Sequence, residues 1–449
     1  MFTRKALTQL EQWHNNPRRK PIILRGARQV GKTTLVSLFA ERFAQTISLN
    51  LERSEDRELF EKDYDIHELI EALFFLKGKD RQQTDTLIFI DEIQNSPQAV
   101  AMLRYFYEDY PELPVIAAGS LLETMLDRHI SFPVGRVEYL RMHPLTFEEF
   151  LGAIGETQAV EMLNRVPLPE FAHDKLLKLF HRYALIGGMP EIVQVYAETK
   201  DISQLGPIYD SLITAYLDDI EKYSPRSQQT PILRHVIQHA FSEAGNRVKL
   251  AGFGRSNYGS REIGEALQIL EKALLLQRYY PVTDTRLPLQ PNLKKAAKLQ
   301  LLDTGLVNYF AGLQAEIFGS KDLNALYGGR VIEHLVGQEI YASQTSMLFN
   351  LNFWVREKKQ SNAEVDFVLA HNGKVIPIEV KSGATGRLRS LHQYMDQAEH
   401  SVAIRLYAGK LQIEETATLN GKAYTLINLP YYLGSQLTQY LNFTLKPQT

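Results

Sequence analysis

A chain of 449 residues is too long for one compact core, so roughly two to four domains are expected. Its 50 Lys and Arg against 52 Asp and Glu leave a formal charge of −2, which excludes a global basic field for polyanions. The absence of cysteine excludes disulfides, zinc fingers and thiolate-bound iron–sulfur clusters, and fits a reducing compartment.

The first residues, MFTRKALTQLEQWHNNPRRK, lack the apolar core of a signal peptide, and no run of about 18 apolar residues occurs elsewhere. The expected setting is the cytoplasm, with no membrane span.

PIILRGARQVGKTTLVSLFAERF reads as a short apolar strand, a glycine-bearing loop and an amphipathic helix. Gly26, Gly31, Lys32 and Thr33 satisfy the G-x-x-x-x-G-K-[ST] spacing of a phosphate-binding P-loop. The glycines let successive backbone N–H groups curl around a phosphate, and the helix N-terminus adds its positive dipole. The binding loop is therefore expected to run through Gly26, Ala27, Arg28, Gln29, Val30, Gly31, Lys32, Thr33 and Thr34. Lys32 would reach the β- and γ-phosphates, and the Thr33 hydroxyl would ligate Mg²⁺.

Downstream, the unalternating apolar run Leu87 to Ile90 predicts a strand buried on both faces of a parallel sheet. It ends in Asp91 and Glu92, at the carboxyl edge where ligands bind in such sheets. Asp91 is the expected Mg²⁺ partner and Glu92 the group that polarises the attacking water. LPVIAAGS predicts another strand, ending in Ser120, which would sense the γ-phosphate or orient water. Arg136, in FPVGRVEYLRMHPLTFEEF, is a candidate arginine finger acting across a subunit boundary.

Residues 156–225 read as helices broken at Gly187-Gly188-Met189-Pro190, in the place of a helical lid. Asp218, Asp219 and Glu221 are expected on a solvated helix face. From 226 to 315 the order helix, turn, helix, strands suits a winged helix. Ile263, Leu267, Leu270 and Leu274 recur at helical spacing. Arg255, Arg261, Lys294, Lys295 and Lys298 are candidate phosphate contacts for DNA, although winged helices also bind proteins.

In AEVDFVLAHNGKVIPIEVKS, Asn372-Gly373 is a strong two-residue hairpin signal. It pairs His371 with Lys374 and, counting back, Asp366 with Glu379 and Glu364 with Lys381, all four on one face. Carboxylates opposed at about 5 Å repel, and a divalent cation, Mg²⁺ or Mn²⁺, would offset that. Asp366, Glu379 and Lys381 resemble the PD-(D/E)xK nuclease superfamily, with Val-Asp where Pro-Asp is usual. The helix in GGRVIEHLVGQEIYASQ should supply a further acid. With Ile332 at 0°, Val336 lies at about 40°, Leu335 at about −60° and Glu339 at about −20°, so Glu339 falls inside the apolar stripe. Glu339 is the first choice and Glu333, at the margin, the second. In the alternative reading Glu364–Lys381 is a surface cross-strand ion pair, Asp366 and Glu379 face water and tolerate each other, and Glu339 pairs with a buried arginine.

GARQVGKTTL, LIFIDEIQ, AAGSLLE, VGRVEYLRMHPLTFEEF, LIGGMPEIV, LDTGL, VIEHLVGQE and EVDFVL…IEVKS resemble a prokaryotic AAA-type ATPase family that carries a C-terminal domain of uncharacterised function. The resemblance implies ATP as the nucleotide and a homo-oligomer of the kind that can close into a ring. The expected fold is α/β and multidomain. It comprises a P-loop NTPase core of AAA type (1–155), a helical lid (156–225), a winged-helix-like domain (226–315) and a restriction-endonuclease-like domain (316–449). Two functions stay open. One is a Mg²⁺-dependent ATPase coupled to DNA processing by a nuclease-like domain. The other is an ATP-switched DNA- or protein-binding scaffold whose nuclease-like domain does not cut.

Overall fold

The computed structural model describes residues 2–120, 133–223, 229–312, 330–344, 346–357, 363–383 and 388–445. The chain forms two compact units: Met1–His143 with Lys272–Leu275, and Pro144–Glu271 with Leu276–Thr449. Among the described residues, no helix is long and apolar enough to cross a membrane.

In the first unit, strands β1 (Ile22–Arg25), β2 (Gln45–Asn50), β3 (Thr86–Asp91), β4 (Val115–Gly119) and β5 (Glu138–Arg141) form one sheet in the order β2-β3-β4-β1-β5. Every pairing in it is parallel. β3 is buried along its whole length, as its unbroken apolar run demands. Ile47, Leu49, Ile88, Ile90 and Val115 pack with Leu69, Leu73, Leu103 and Phe106 in one core. Because β1, β4 and β3 are neighbours running the same way, the loop after β1, Ser120 after β4 and Asp91 at the end of β3 share one carboxyl edge.

The second unit begins with the helices Phe147–Ala153, Thr157–Leu163, His173–Ile186, Pro190–Thr199 and Gly206–Tyr223, the helical run expected from the sequence. Its acidic stretch is corrected in part: Asp218 is exposed but Asp219 is buried, and the Glu221 side chain lies outside the described residues. Helices Thr230–Ala240 and Ser260–Lys272 precede strands β6 (Leu276–Val282) and β7 (Lys298–Leu301), which pair antiparallel. Ile263, Leu267 and Leu270 are buried as expected, whereas Leu274 lies beyond the helix with φ of 59°. β6 also pairs in parallel with β8 (Asn352–Val355), and β8 pairs with β9 (Glu364–Val365). The strands that follow the two helices thus continue into a sheet shared with the C-terminal segment.

A second sheet in this unit has the order β10-β11-β12-β14-β13, from β10 (Phe367–His371), β11 (Lys374–Val380), β12 (Val402–Tyr407), β13 (Gln412–Ala417) and β14 (Ala423–Pro430). The β10–β11 hairpin has the expected register, from His371 opposite Lys374 to Phe367 opposite Ile378. Asn372 and Gly373 both take positive φ, 45° and 75°, as the primed turn requires. The register stops at Asp366, however, because the chain bends there and Glu364 pairs with Val355 of β8. The expected Glu364–Lys381 opposition is therefore overturned.

A buried polar network joins the segments around Leu145, Gly188, Asp303 and Glu339. Glu339 Oε1 accepts from the Phe147 N–H (3.0 Å) and the Tyr183 hydroxyl (3.0 Å), and Gln338 Nε2 donates to that same hydroxyl (3.1 Å). Gln338 Oε1 accepts from the Thr304 N–H (2.9 Å), while Asp303 accepts from the N–H groups of Gly188 (2.7 Å) and Leu306 (3.1 Å). Gly187 is required here: φ is 76°, and a Cβ would overlap the Asp303 carboxylate.

Candidate nucleotide site and acidic cluster

The loop after β1 is shaped by its glycines. A Cβ on Gly26 would lie 2.7 Å from the Met142 carbonyl, so only glycine lets the loop pass. Gly31 adopts φ of 91° and ψ of 27°, opening the helix Lys32–Ala40 directly at the loop. Gln29 also has positive φ (64°), a left-handed position of the kind from which anion-binding turns of consecutive amides are built. Lys32 is buried, and its ammonium donates to the carbonyls of Gly26 (3.0 Å) and Ala27 (2.9 Å). Burial pulls its pKa down to about 8, against the opposing pull of Glu92 and Asp91.

Thr33 and Asp91 are in direct contact: the Thr33 hydroxyl donates to Asp91 Oδ2 at 2.7 Å, and Asp91 Oδ1 accepts from the Glu92 N–H at 3.0 Å. Burial raises the Asp91 pKa, opposed by the Thr33 hydrogen bond. Glu92 takes φ of 52°, and its carboxylate accepts from the Gln94 side chain. Ser120 is buried, and its hydroxyl has no hydrogen-bond partner among the described residues. Arg28 lies 3.8 Å from Glu52. These groups suit a nucleoside triphosphate with a divalent cation: a glycine-shaped loop, a lysine without a carboxylate contact, and a hydroxyl–carboxylate pair at the adjacent strand end. Arg136 is half-exposed on the same unit, its Nε donating to Glu108 Oε1 at 3.1 Å.

The C-terminal candidates assemble differently. Glu379 is buried, and its Oε1 lies 2.5 Å from Lys381 Nζ. Asp366 Oδ2 accepts from the Val380 N–H at 2.7 Å. Glu339 is buried as the helical stripe requires, but its Oε1 is committed to Phe147 and Tyr183, so the first-choice helix acid is corrected. The acid that accompanies the cluster is Glu333. Burial, then the charge of Asp366, raises both Glu333 and Glu379 to about 8. Asp366 is also raised, chiefly by burial.

Lys298 was expected to touch phosphates and instead is buried within this cluster, its Nζ pairing with Glu333 and, at 2.6 Å, with Glu364 Oε1. Burial lowers its pKa, but Glu333, Glu364 and Asp366 outweigh that and hold it above the ordinary lysine value. Arg247 pairs with Glu364 as well, and both Arg247 and Lys298 lie over the Phe353 ring, at 4.9 and 5.1 Å. With lysines on Glu333 and Glu379, the acids do not fit a divalent cation as arranged. Among the described residues, no group of three or more His, Asp or Glu is disposed to hold a metal ion.

The motif reading passed over Arg4 and misassigned Lys298. A strand placed over KLQLLD signals that Lys298 faces a different environment from Lys294, but nothing local signals Arg4.

Comparison with known proteins gives three family matches: an AAA domain over residues 18–151, a domain of unknown function (DUF8612) over 177–317, and another (DUF4143) over 328–432. No curated protein sequence matches the chain. Among solved structures, it is similar to a Walker-type ATPase of Pyrococcus abyssi at 16% identity and a TM-score of 0.46, covering 69% of this chain and 96% of that one. An ORC1 protein of Aeropyrum pernix in complex with DNA is similar at 14% identity and 0.28, covering 70% and 93%. AMPPCP-bound DnaA from Aquifex aeolicus follows at 13% and 0.26, covering 60% and 86%. Likeness at this level says nothing about substrate or partner. Sheet, loop geometry and family match agree on an AAA-type P-loop ATPase domain in residues 18–151.

Proposed function

We propose that the chain is a Mg²⁺-dependent ATP hydrolase working as an ATP-switched binding protein, with a nuclease-like C-terminal segment that does not cut. The observation that carries the hydrolase reading is the 2.7 Å bond between Thr33 and Asp91 beside the Lys32 helix N-terminus. Mg²⁺, when bound, supplies the positive charge that neutralises the β- and γ-oxygens. Thr33 and Asp91 would hold that ion, the 26–31 amides would orient the phosphates, and Lys32 would leave the Gly26 and Ala27 carbonyls to meet them. Glu92 accepts the proton of the attacking water, and Ser120, whose buried hydroxyl is uncommitted among the described residues, orients the γ-phosphate. Arg136, whose guanidinium meets the Glu108 carboxylate and the Val134 carbonyl at the surface, would reach the nucleotide of a neighbouring copy in a homo-oligomer.

DNA is the favoured partner, through Arg255, Arg261 and Lys294, all exposed, and the half-buried Lys295 of the winged-helix-like segment. The non-cutting reading rests on the ion pairs that occupy Glu333 and Glu379. One observation favours a metal-dependent nuclease instead: the buried Glu379 Oε2 lacks a hydrogen-bond partner among the described residues. The deciding experiment incubates the protein with supercoiled, single-stranded and branched DNA, Mg²⁺ or Mn²⁺, with and without ATP. The expected result is ATP turnover, abolished in Asp91→Asn and Glu92→Gln, with all DNA left intact. Metal-dependent cutting that Asp366→Ala removes would establish the nuclease. Salt-insensitive binding would count against DNA as the partner.

A further inference from the structure

Arg4 lies outside the residues matched by the AAA domain, one residue before the helix Lys5–His14, yet its guanidinium reaches the phosphate loop. It is buried, with Nη1 donating to the Val30 carbonyl at 3.0 Å and Nη2 donating to the His143 carbonyl at 2.6 Å. Val30 is the loop residue immediately before Gly31 and Lys32. His143 follows Met142, whose N–H donates to Arg25 O at 2.7 Å and whose own carbonyl abuts Gly26. One cation therefore ties the far end of the loop to the strip of backbone on which its first glycine rests.

The physical reason for such a tie lies in the loop itself. A turn that aims its N–H groups at an anion turns carbonyls away, and a buried carbonyl needs a donor. Val30 O has the Arg4 guanidinium as its donor. The fork of a guanidinium spans two carbonyls at fixed angle, which an ammonium on a flexible stem does not reproduce. The helix that follows Arg4 is held in turn by buried Leu10 and Trp13, the Trp13 ring lying 6.4 Å from Phe39 of the helix Lys32–Ala40. Trp13 Nε1 donates to Lys20 O at 2.7 Å. Arg4 is thus delivered to the loop by an element docked on the P-loop helix.

We propose that Arg4 is a positioning residue of the nucleotide site: it holds residues 26–31 in the conformation that aims their amides at the phosphates of ATP. ATP affinity is thereby linked to the docked N-terminal helix. The inference rests on the ATP reading above, and the test separates the two. The full-length protein is titrated with a fluorescent ATP analogue and Mg²⁺, with steady-state hydrolysis and a thermal melt run in parallel. Arg4→Ala is expected to raise Kd and KM about tenfold to a hundredfold, with kcat falling less, as for the loss of a charged hydrogen bond. Arg4→Lys, which keeps the charge but not the fork, should fall between. Arg42→Ala, which removes only the exposed pair with Glu11, should leave Kd unchanged.

Should Arg4→Ala fail to fold, Arg4→Lys decides. A folded Arg4 variant with wild-type Kd overturns the proposal. A lowered melting temperature with unchanged Kd would do the same, because it leaves Arg4 as an anchor of the fold alone. Absence of nucleotide binding by the wild type would instead remove the ATP reading itself.

Discussion

Two buried lysines, one opening a helix and one opening a strand, make the instructive contrast. Lys32 contacts backbone carbonyls of its own loop, and burial drives its pKa down to about 8. Lys298 is equally enclosed, but two carboxylates grip it and its pKa goes up. The first lysine carries a charge that the surrounding protein leaves under-compensated, so an anionic ligand gains by approaching. The second has its charge already compensated, and an arriving ion would have to break that network. Burial of charge alone does not mark a ligand site. What marks one is burial without a carboxylate in direct contact.

The sharpest way to break the comparison is to delete each lysine in turn. Lys32→Ala removes ligand binding and no ion pair, so ATP turnover should fall by at least about a hundredfold while the melting temperature stays near wild type. Unchanged hydrolysis would remove the hydrolase assignment. Lys298→Ala should do the reverse. It leaves Glu333 and Glu364 facing one another without their shared cation, and losing one partner of a buried pair costs about 3–5 kcal/mol. Urea unfolding measures this, and ATP turnover below the midpoint should persist. A stable Lys298→Ala protein would show that the cluster tolerates an empty centre.

The same substitution sharpens the metal question. Calorimetry with Mn²⁺ on a nucleotide-free Lys32→Ala background should show no saturable binding, because lysines hold Glu333 and Glu379. Lys298→Ala on that background should uncover weak binding, as Glu333, Glu364 and Asp366 lose their competing cation. Tight binding with Lys298 in place would instead revive the metal site.

How legible this was in the sequence follows the range of the interactions. The P-loop spacing is local, and Gly26, Gly31 and Lys32 were readable because phosphate geometry fixes their order. The hairpin register was readable because Asn372-Gly373 dictates it from a two-residue turn. The break at Asp366 was not, since it arises when β9 leaves to join β8, a pairing that no local pattern encodes. Glu339 was correctly placed in an apolar stripe by helical periodicity. Its partners, Phe147 and Tyr183, lie 192 and 156 residues away in sequence, and only the fold brings them in. Lys298 was misread because PNLKKAAK looks uniformly basic. The strand that begins at Lys298 turns this lysine inward, while Lys294 stays exposed in the preceding loop.

The smallest expected effect, and the one that addresses both regions together, is the response to alkaline pH. Free Lys32 loses its proton near pH 8, whereas beside triphosphate the ammonium is favoured, so binding takes up a proton and affinity falls as pH rises past about 8. The limit is about tenfold per pH unit. Calorimetry in buffers of different ionisation enthalpy would reveal the uptake, and its absence would mean that Lys32 stays charged in the free protein. In the acidic cluster the sign concerns stability. Glu333 and Glu379 have folded pKa values raised to about 8, above their unfolded values, so the folded state holds the extra protons. Their contribution is complete below the ordinary glutamate range and is lost as pH rises through about 8. Melts between pH 6 and 9 should therefore decline, and less steeply in Glu333→Gln. A decline of equal slope in that variant would place the titrating group elsewhere. ATP affinity and melting temperature would then fall in one pH window, each through the loss of a proton: a lysine in one unit gives up a proton its ligand needs, and carboxyls in the other give up protons their fold needs.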